Sequence, residues 1–153
     1  MRGNDVMIEG AQIRFRNFSG KENKFNREGD RNFVVLLDEE TARIMGDAGW
    51  NVKLLQPRED EEDGTPQPYL QVAVSFKIRP PKIVLITSGG RTYLDEESVS
   101  VLDHADFINV DIVVNPYNWE FGGNNGIKAY LKTMYATIEE DELEKKYREL
   151  EAS

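Results

Sequence analysis

The 153-residue sequence predicts an all-β fold with minor helices. Three observations carry that prediction. Apolar and polar residues alternate in several short runs, the two-residue period of a half-buried strand. One short stretch after Leu37 reads as helix instead. Long intervals rich in glycine, proline and asparagine separate the runs. At this length one domain is expected, with enough chain to bury a core.

The first strand spans 6–16, where Ile8, Ala11, Ile13 and Phe15 are spaced by more polar residues, with a bend at Gly10. Residues 17–31 are polar with Gly20 and Gly29, a loop or wide hairpin, and Phe33 to Leu37 is a short apolar strand. Asp38 offers an N-cap to a helix over Glu39–Asp47, with Thr41, Ile44, Met45 and Ala48 inward and Gly49 ending it. Trp50–Leu55 returns to strand. Pro57 through Pro68, with the acidic run EDEED, is an exposed loop.

Tyr69–Ile78 alternates, with Leu70, Val72, Val74 and Phe76 on one face. Pro80-Pro81 stops it. Ile83–Ile86 and Arg91–Leu94 are strands around a Ser88-Gly89-Gly90 turn, and Asp95–Leu102 fits a helical turn or a strand. Phe107–Val114 is a strand and Pro116–Gly126 a loop. Ile127–Ile138 is the last strand, with Ile127, Ala129, Leu131, Thr133, Tyr135 and Thr137 on one face and Lys128, Tyr130, Lys132, Met134 and Ala136 on the other. This order matches an OB-fold, a partly open five-stranded Greek-key β-barrel, with extra elements because the helix before Trp50 comes early for that fold. The OB domain is expected over 1–138 and an acidic C-terminal helix or tail over 139–153, where Leu143, Tyr147 and Leu150 recur at helical spacing.

Without cysteine, disulfides and thiolate metal sites are excluded. No run reaches membrane-spanning length, and MRGNDVMIEG lacks the apolar stretch of a signal peptide, so an intracellular protein without membrane partners is expected. The net charge of −9 is uneven: +2 over 1–37, −6 over 38–63, −1 over 64–137 and −4 over 138–153. A net negative charge weakens long-range attraction to a polyanion but leaves room for a local positive groove.

Such a groove is suggested by QIRFRNFSGKENKFNREGDRNF, where cations interleave with phenylalanines. Arg14, Arg16, Lys21, Lys24, Arg27 and Arg31 suit phosphates, and Phe18 or Phe25 suits bases, a pairing that suits single-stranded nucleic acid. In an extended run Arg14 and Arg16 point together, opposite Ile13 and Phe15. A solvated hairpin with its phenylalanines inward is the alternative. A second patch lies in PYNWEFGGNNGIKAYLKTMY, where Lys128, Tyr130 and Lys132 share a strand face beside Tyr117 and Trp119. Those two and Phe121 would otherwise close one end of the barrel. Arg79 and Lys82, with Arg91, form a weaker third set at the groove's edge, where an ordinary charged surface explains them equally well. Trp50 reads as core.

Catalysis has little support. His104 is the only histidine, and Asp95, Glu96, Asp103 and Asp106 read as turn and cap residues rather than a Mg²⁺ site of a nuclease. Neither Gly-Gly pair leads into a phosphate-loop lysine. No enzyme activity and no cofactor are expected. The rivals to nucleic-acid binding are an interaction or structural module on the same barrel, and a Mg²⁺-dependent nuclease or nuclease accessory.

The segments FRNFSGKENKFNREGDRNF, GWNVKLLQPRED and NPYNWEFGGNNGIKAYLKTMYATIEEDEL, together spanning about residues 13 to 143, resemble the single-stranded DNA-binding proteins of tailed bacteriophages. The resemblance implies an oligonucleotide-binding barrel that covers single strands without strong sequence preference during replication or recombination. It places the basic-aromatic loop and GIKAYLKTMY against DNA, in the cytoplasm of an infected cell. Such proteins often carry an acidic tail; by its own charge this one either meets replication or recombination proteins, competes for the basic groove, or is a terminal helix with a solvated face, and homo-oligomers stay open. The tail departs from the pattern: it is short, helix-prone and ends Glu-Ala-Ser.

Overall fold

A computed structural model describes residues 4–24, 26–57, 64–77, 79–139 and 150. Among them, β1 (Val6–Ile8), β2 (Gln12–Asn17), β3 (Arg31–Leu36), α1 (Glu39–Asp47), β4 (Val52–Leu55), β5 (Gln67–Val74), β6 (Lys82–Thr87), β7 (Gly90–Leu94), β8 (Phe107–Phe121) and β9 (Asn124–Ile138) follow in order, with a 3₁₀ turn at Val99–Asp103 before β8. The acidic run at 59–63, Phe25 and almost all of the C-terminal segment lie outside the described residues.

The main path across the sheet is β1-β8-β9-β5-β3-β2. Its pairs are antiparallel except β5 with β9. The two ends of the path are consecutive in sequence, joined at Gly10, whose φ of 60° suits a residue without a Cβ. Counted as one bent strand, β1–β2 supplies the first of five Greek-key positions, with β3, β5, β8 and β9. The sheet stays open at this corner, where Ala11 N–H donates to Val110 O at 2.7 Å. This is the partly open OB-like arrangement expected. Three strands are additions to it: β4 lies on β5, and the β6–β7 hairpin joins β9 in parallel through β6.

The helix begins and ends where its caps predict, with Asp38 accepting from Thr41 N–H at 2.6 Å. That bond holds the Asp38 carboxyl below its ordinary value. Its inner face is narrower than expected. Ala42 and Met45 are buried, whereas Ile44 is exposed, because nine residues present only one i, i+3 stripe to the sheet. Trp50 is buried, as its sequence context suggested, and it bridges Ile127.

Two strand expectations are corrected. Residues 116–126 are not a loop: β8 and β9 continue as a long hairpin to Phe121 and Asn124. Gly122 and Gly123, both at positive φ, make the two-residue turn that matches strand twist. Pro116 is tolerated because, among the described residues, β1 pairs β8 only as far as Val114 and leaves Pro116 without a ladder partner on that side. Nor does β9 keep one alternation. Val114 pairs Leu131 and Val113 pairs Thr133, so Lys132 is an extra residue. The bulge moves the inward set from Ile127, Ala129 and Leu131 to Met134 and Ala136.

The core lies inside the barrel and includes Phe33, Val35, Leu70, Val72, Ile83, Ile112 and Met134. No helix among the described residues is long and apolar enough to cross a membrane.

Candidate nucleic-acid interface

On the outer side of β3, β5 and β9, residues of alternating strands form a transverse row. Asn32 pairs Ala73, Ala73 pairs Tyr130, and Tyr130 pairs Asn115. Their neighbours Phe33, Val72 and Ala129 point into the core. The row floors an open groove of about 800 Å³, walled by the 26–32 segment, by Asn51 and Lys53 of the β4 region, and by Phe76, Lys77, Glu96 and Lys128. Ala73 keeps the floor low beside the Tyr130 ring. Five cations line the groove (Arg27, Arg31, Lys53, Lys77 and Lys128) against Glu28, Asp30 and Glu96. A positive hollow therefore sits in a protein of charge −9.

The aromatic wall comes from the hairpin. Tyr117 and Tyr130 meet edge to face with ring centroids 5.8 Å apart. Lys128 Nζ lies 5.1 Å from the Tyr130 centroid. Tyr117 is 56% exposed, so its face is open to a planar ligand. Trp119 pairs Gly126 on the same side of the hairpin. A Cβ at Gly126 would stand 2.9 Å from Trp119 Cζ2 and 2.6 Å from Asn51 Oδ1, so only glycine lets the indole and Asn51 close over β9 here. Phe121, at the tip, is 83% exposed.

The 18–30 loop is held by its own polar groups. Asn17 accepts from Lys21 N–H and donates to Lys21 O, both at 3.0 Å. Asn26 Nδ2 donates to the carbonyls of Lys21, Arg27 and Asp30. Asp103 accepts from the amides of Phe18 and Ser19 at 2.6 and 3.1 Å. This network sets Arg27 and Arg31 at the groove. Arg31 ion-pairs with Glu96 at 3.3 Å and stacks over Phe76 at 5.5 Å.

The sequence matches the family described as "Putative phage ssDNA-binding domain" over residues 1–153. The chain belongs to this family. The structure is similar to the single-stranded DNA-binding protein of bacteriophage Enc34 in complex with ssDNA, with a TM-score of 0.57 and 11% identity, covering 90% of this chain and 88% of that one. The C-terminally truncated Enc34 protein matches with a TM-score of 0.55 at 10% identity, covering 90% and 87%. A further structure of the Enc34 protein gives 0.54 at 10% identity, covering 90% and 82%. At such identities the likeness is one of fold. No curated protein matches the sequence significantly.

The phage-domain frame brings together some of the expected residues and separates others. Arg27, Arg31, Lys128 and Tyr130 line one groove, with Tyr117 and Trp119 on the adjoining hairpin. Lys132 shares their outer face and ion-pairs with Asp5 at 2.6 Å, while Asn115 donates to the other Asp5 oxygen at 2.9 Å. Lys132 is the first cause that holds the Asp5 carboxyl below its ordinary value. Lys21 and Lys24 are exposed on the loop and Arg79 on the segment after β5, none of them lining the groove. Lys82 stands on the β6–β7 hairpin.

Three expectations for the first patch are corrected. Phe18 is fully buried and stacked on Phe33 at 5.3 Å, so it cannot meet a base. Arg16 is a structural latch: Nη1 donates to Leu102 O and Ala105 O at 2.9 and 2.6 Å, and its guanidinium covers Phe107 at 4.7 Å. Arg14 and Arg16 line a different hollow, between β2 and the start of β8, away from Lys128. At Phe15 φ is 51° and the pairing with β3 shifts register between Arg14 and Asn17, which breaks the alternation. Phe15 consequently faces solvent, 68% exposed, rather than pairing with Ile13 inside.

Sequence reasoning missed Lys53, Lys77, Asn51 and Gln71 as lining residues. Lys53 between Val52 and Leu54 was a readable signal for an outward cation on a strand. Nothing local marked Gln71 or Lys77. The acidic residues near His104 have folding roles: Asp95 accepts from Ser98 and Glu97, and Asp103 anchors the loop. Among the described residues, no three His, Cys, Asp or Glu side chains cluster to hold a metal ion.

Proposed function

We propose that the chain binds single-stranded DNA without sequence preference along the groove floored by Asn32, Ala73 and Tyr130, and that it acts by covering the strand rather than by chemistry. The observation that carries this reading is the coincidence of five cations with the Tyr117–Tyr130–Trp119 wall on the face that OB-folds use for oligonucleotides, between the first hairpin loop and the last one. Phosphates meet Arg27, Lys53, Lys77 and Lys128, and bases stack on Tyr117 and Tyr130. Family membership and the Enc34 complex with ssDNA support the choice of ligand. Stacking and point-charge contacts read no base edge, so binding is indifferent to sequence.

The setting we infer is intracellular, with the strand covered during phage DNA replication or recombination. Self-association and a protein partner at the acidic C-terminus extend the same proposal. The test is fluorescence anisotropy with labelled dT oligomers, duplex DNA and RNA competing. Tyr130→Ala is expected to lose about 1–3 kcal/mol, roughly 5- to 150-fold in Kd. Full affinity in Tyr130→Ala, or no affinity of the intact chain at low salt, contradicts the proposal.

A further inference from the structure

A second cluster of cations and aromatics lies on the outer face of the added β6–β7 hairpin. Val84 pairs Tyr93 on one side and Tyr135 on the other, so the two rings flank it across three strands. Val84 is fully buried yet stands apart from the main core, which places a small apolar seat under the tyrosines. Lys82 Nζ lies 5.9 Å from the Tyr93 centroid and 5.5 Å from that of Tyr135. The Arg91 guanidinium lies 5.9 Å from Tyr135. Tyr93 is 65% exposed.

This platform is continuous with the groove. Along β9 the outward residues run Lys128, Tyr130 and Lys132, then, past the bulge, Thr133 and Tyr135. The bulge flips the alternation without breaking the face, since Lys132 and Thr133 both point outward. Tyr130 and Tyr135 are therefore separated by roughly 16 Å of one strand, at about 3.3 Å per residue. Asp111, opposite Tyr135 on β8, is already engaged by Gly10 N–H at 2.9 Å and by Asn109 Nδ2 at 3.0 Å. The Tyr135 hydroxyl is held below its ordinary 10.0, first by the hydrogen-bonding approach of Lys82, so the local field favours negative charge.

We infer that Lys82, Arg91, Tyr93 and Tyr135 form a second contact site for the same DNA strand, extending the track beyond the groove along β9. The inference rests on the groove reading above. Two cations beside two stackable rings fit phosphate and base together, where a carboxylate-bearing protein partner would use the cations alone. Lys132 bridges the two sites once a phosphate competes with Asp5 for it.

The test measures affinity for dT oligomers of stepwise length across about 4–16 nucleotides, the range of single OB sites. It compares the full chain with Tyr93→Ala, Arg91→Glu and Tyr130→Ala. Arg91 is exposed, so thermal unfolding should stay unchanged in Arg91→Glu, while Tyr93→Ala, which uncovers Val84, should lose only a few degrees and keep a cooperative melt. The expected result is that Tyr93→Ala and Arg91→Glu keep full affinity for the shortest binding oligomer. For the longest they lose about 5- to 150-fold, with affinity levelling off at a shorter length. Platform variants that match the parent at every length, while Tyr130→Ala is weak throughout, overturn the platform and leave the groove. Tyr130→Ala binding like the parent while the platform variants fail overturns the groove and leaves the platform.

Discussion

Phe18 separates packing from recognition. Its ring is fully buried and stacked on Phe33 at an interplanar angle of 24°, and its amide is fixed by Asp103. Truncation to alanine removes a buried aromatic and leaves a cavity beside Phe33, which costs about 3–5 kcal/mol. Against a total stability of about 5–15 kcal/mol for a domain, this is a large share. At about 2–4 °C per kcal/mol for a chain of this size, Tm should fall by roughly 6–20 °C. Phe18→Leu keeps most of the apolar volume and forfeits mainly the ring contact, about 1–2 kcal/mol. Circular dichroism melts and dT anisotropy on the same samples check both numbers. Phe18→Leu should lose a few degrees and bind as the parent does. If it melts like the parent but binds 5- to 150-fold more weakly, Phe18 meets a base, and its assignment to the core is wrong.

Other predictions concern charge. If three to five of the groove cations meet phosphates, log Kd should change with log salt at a slope of magnitude about 2–3.5, at about 0.7 per contact for single strands. A slope below about 1 would mean that the cations do not carry binding. Asp5→Asn should tighten binding and steepen the slope by about 0.7, because Lys132 is released from its 2.6 Å partner. Unchanged or weaker binding would remove Lys132 from the track. Because the folded Asp5 pKa lies below 3.8, the stabilisation from the Asp5–Lys132 pair is present above that pH and lost as pH falls through the folded value. A carboxyl-detected NMR titration should place the Asp5 midpoint below 3.8 and return it towards 3.8 in Lys132→Ala; the pair is exposed, so its effect on stability should be small.

Much of the frame was legible because local signals agreed with one another. Asp38 and Gly49 bracket the helix, Gly10 marks the bend, and Leu70, Val72 and Val74 alternate without interruption. Two of the failures share one physical origin. A bulge inserts a residue without any compositional mark, and every side chain after it changes face. At Phe15 this sent an apolar residue outward. At Lys132 it turned Met134 inward and Tyr135 outward, which hid the platform from a simple period-two reading. The Gly122-Gly123 turn was misread for another reason. Pro116 and the run of Asn and Gly carry loop composition, and only the pairing shows that Pro116 has no ladder partner on the β1 side among the described residues.

The candidate site was half legible. Lys128, Tyr130, Arg27 and Arg31 stood out by type and spacing, and they converge although about a hundred residues separate the two groups. Phe18 was misassigned because an aromatic between cations reads alike whether it faces a base or a core. Lys53, Lys77 and Gln71 reach the groove through pairing of β4 with β5 and the path of the chain after β5, which no local pattern discloses.

The most direct test of the central claim is amide NMR of the full chain titrated with a short dT oligomer. Shifts should concentrate at residues 26–32, 51–53, 71–77 and 126–132, with the Trp119 indole responding and α1 silent. Shifts centred instead on residues 10–16 and 105–110, the hollow lined by Arg14 and Arg16, would place the DNA elsewhere and contradict the account.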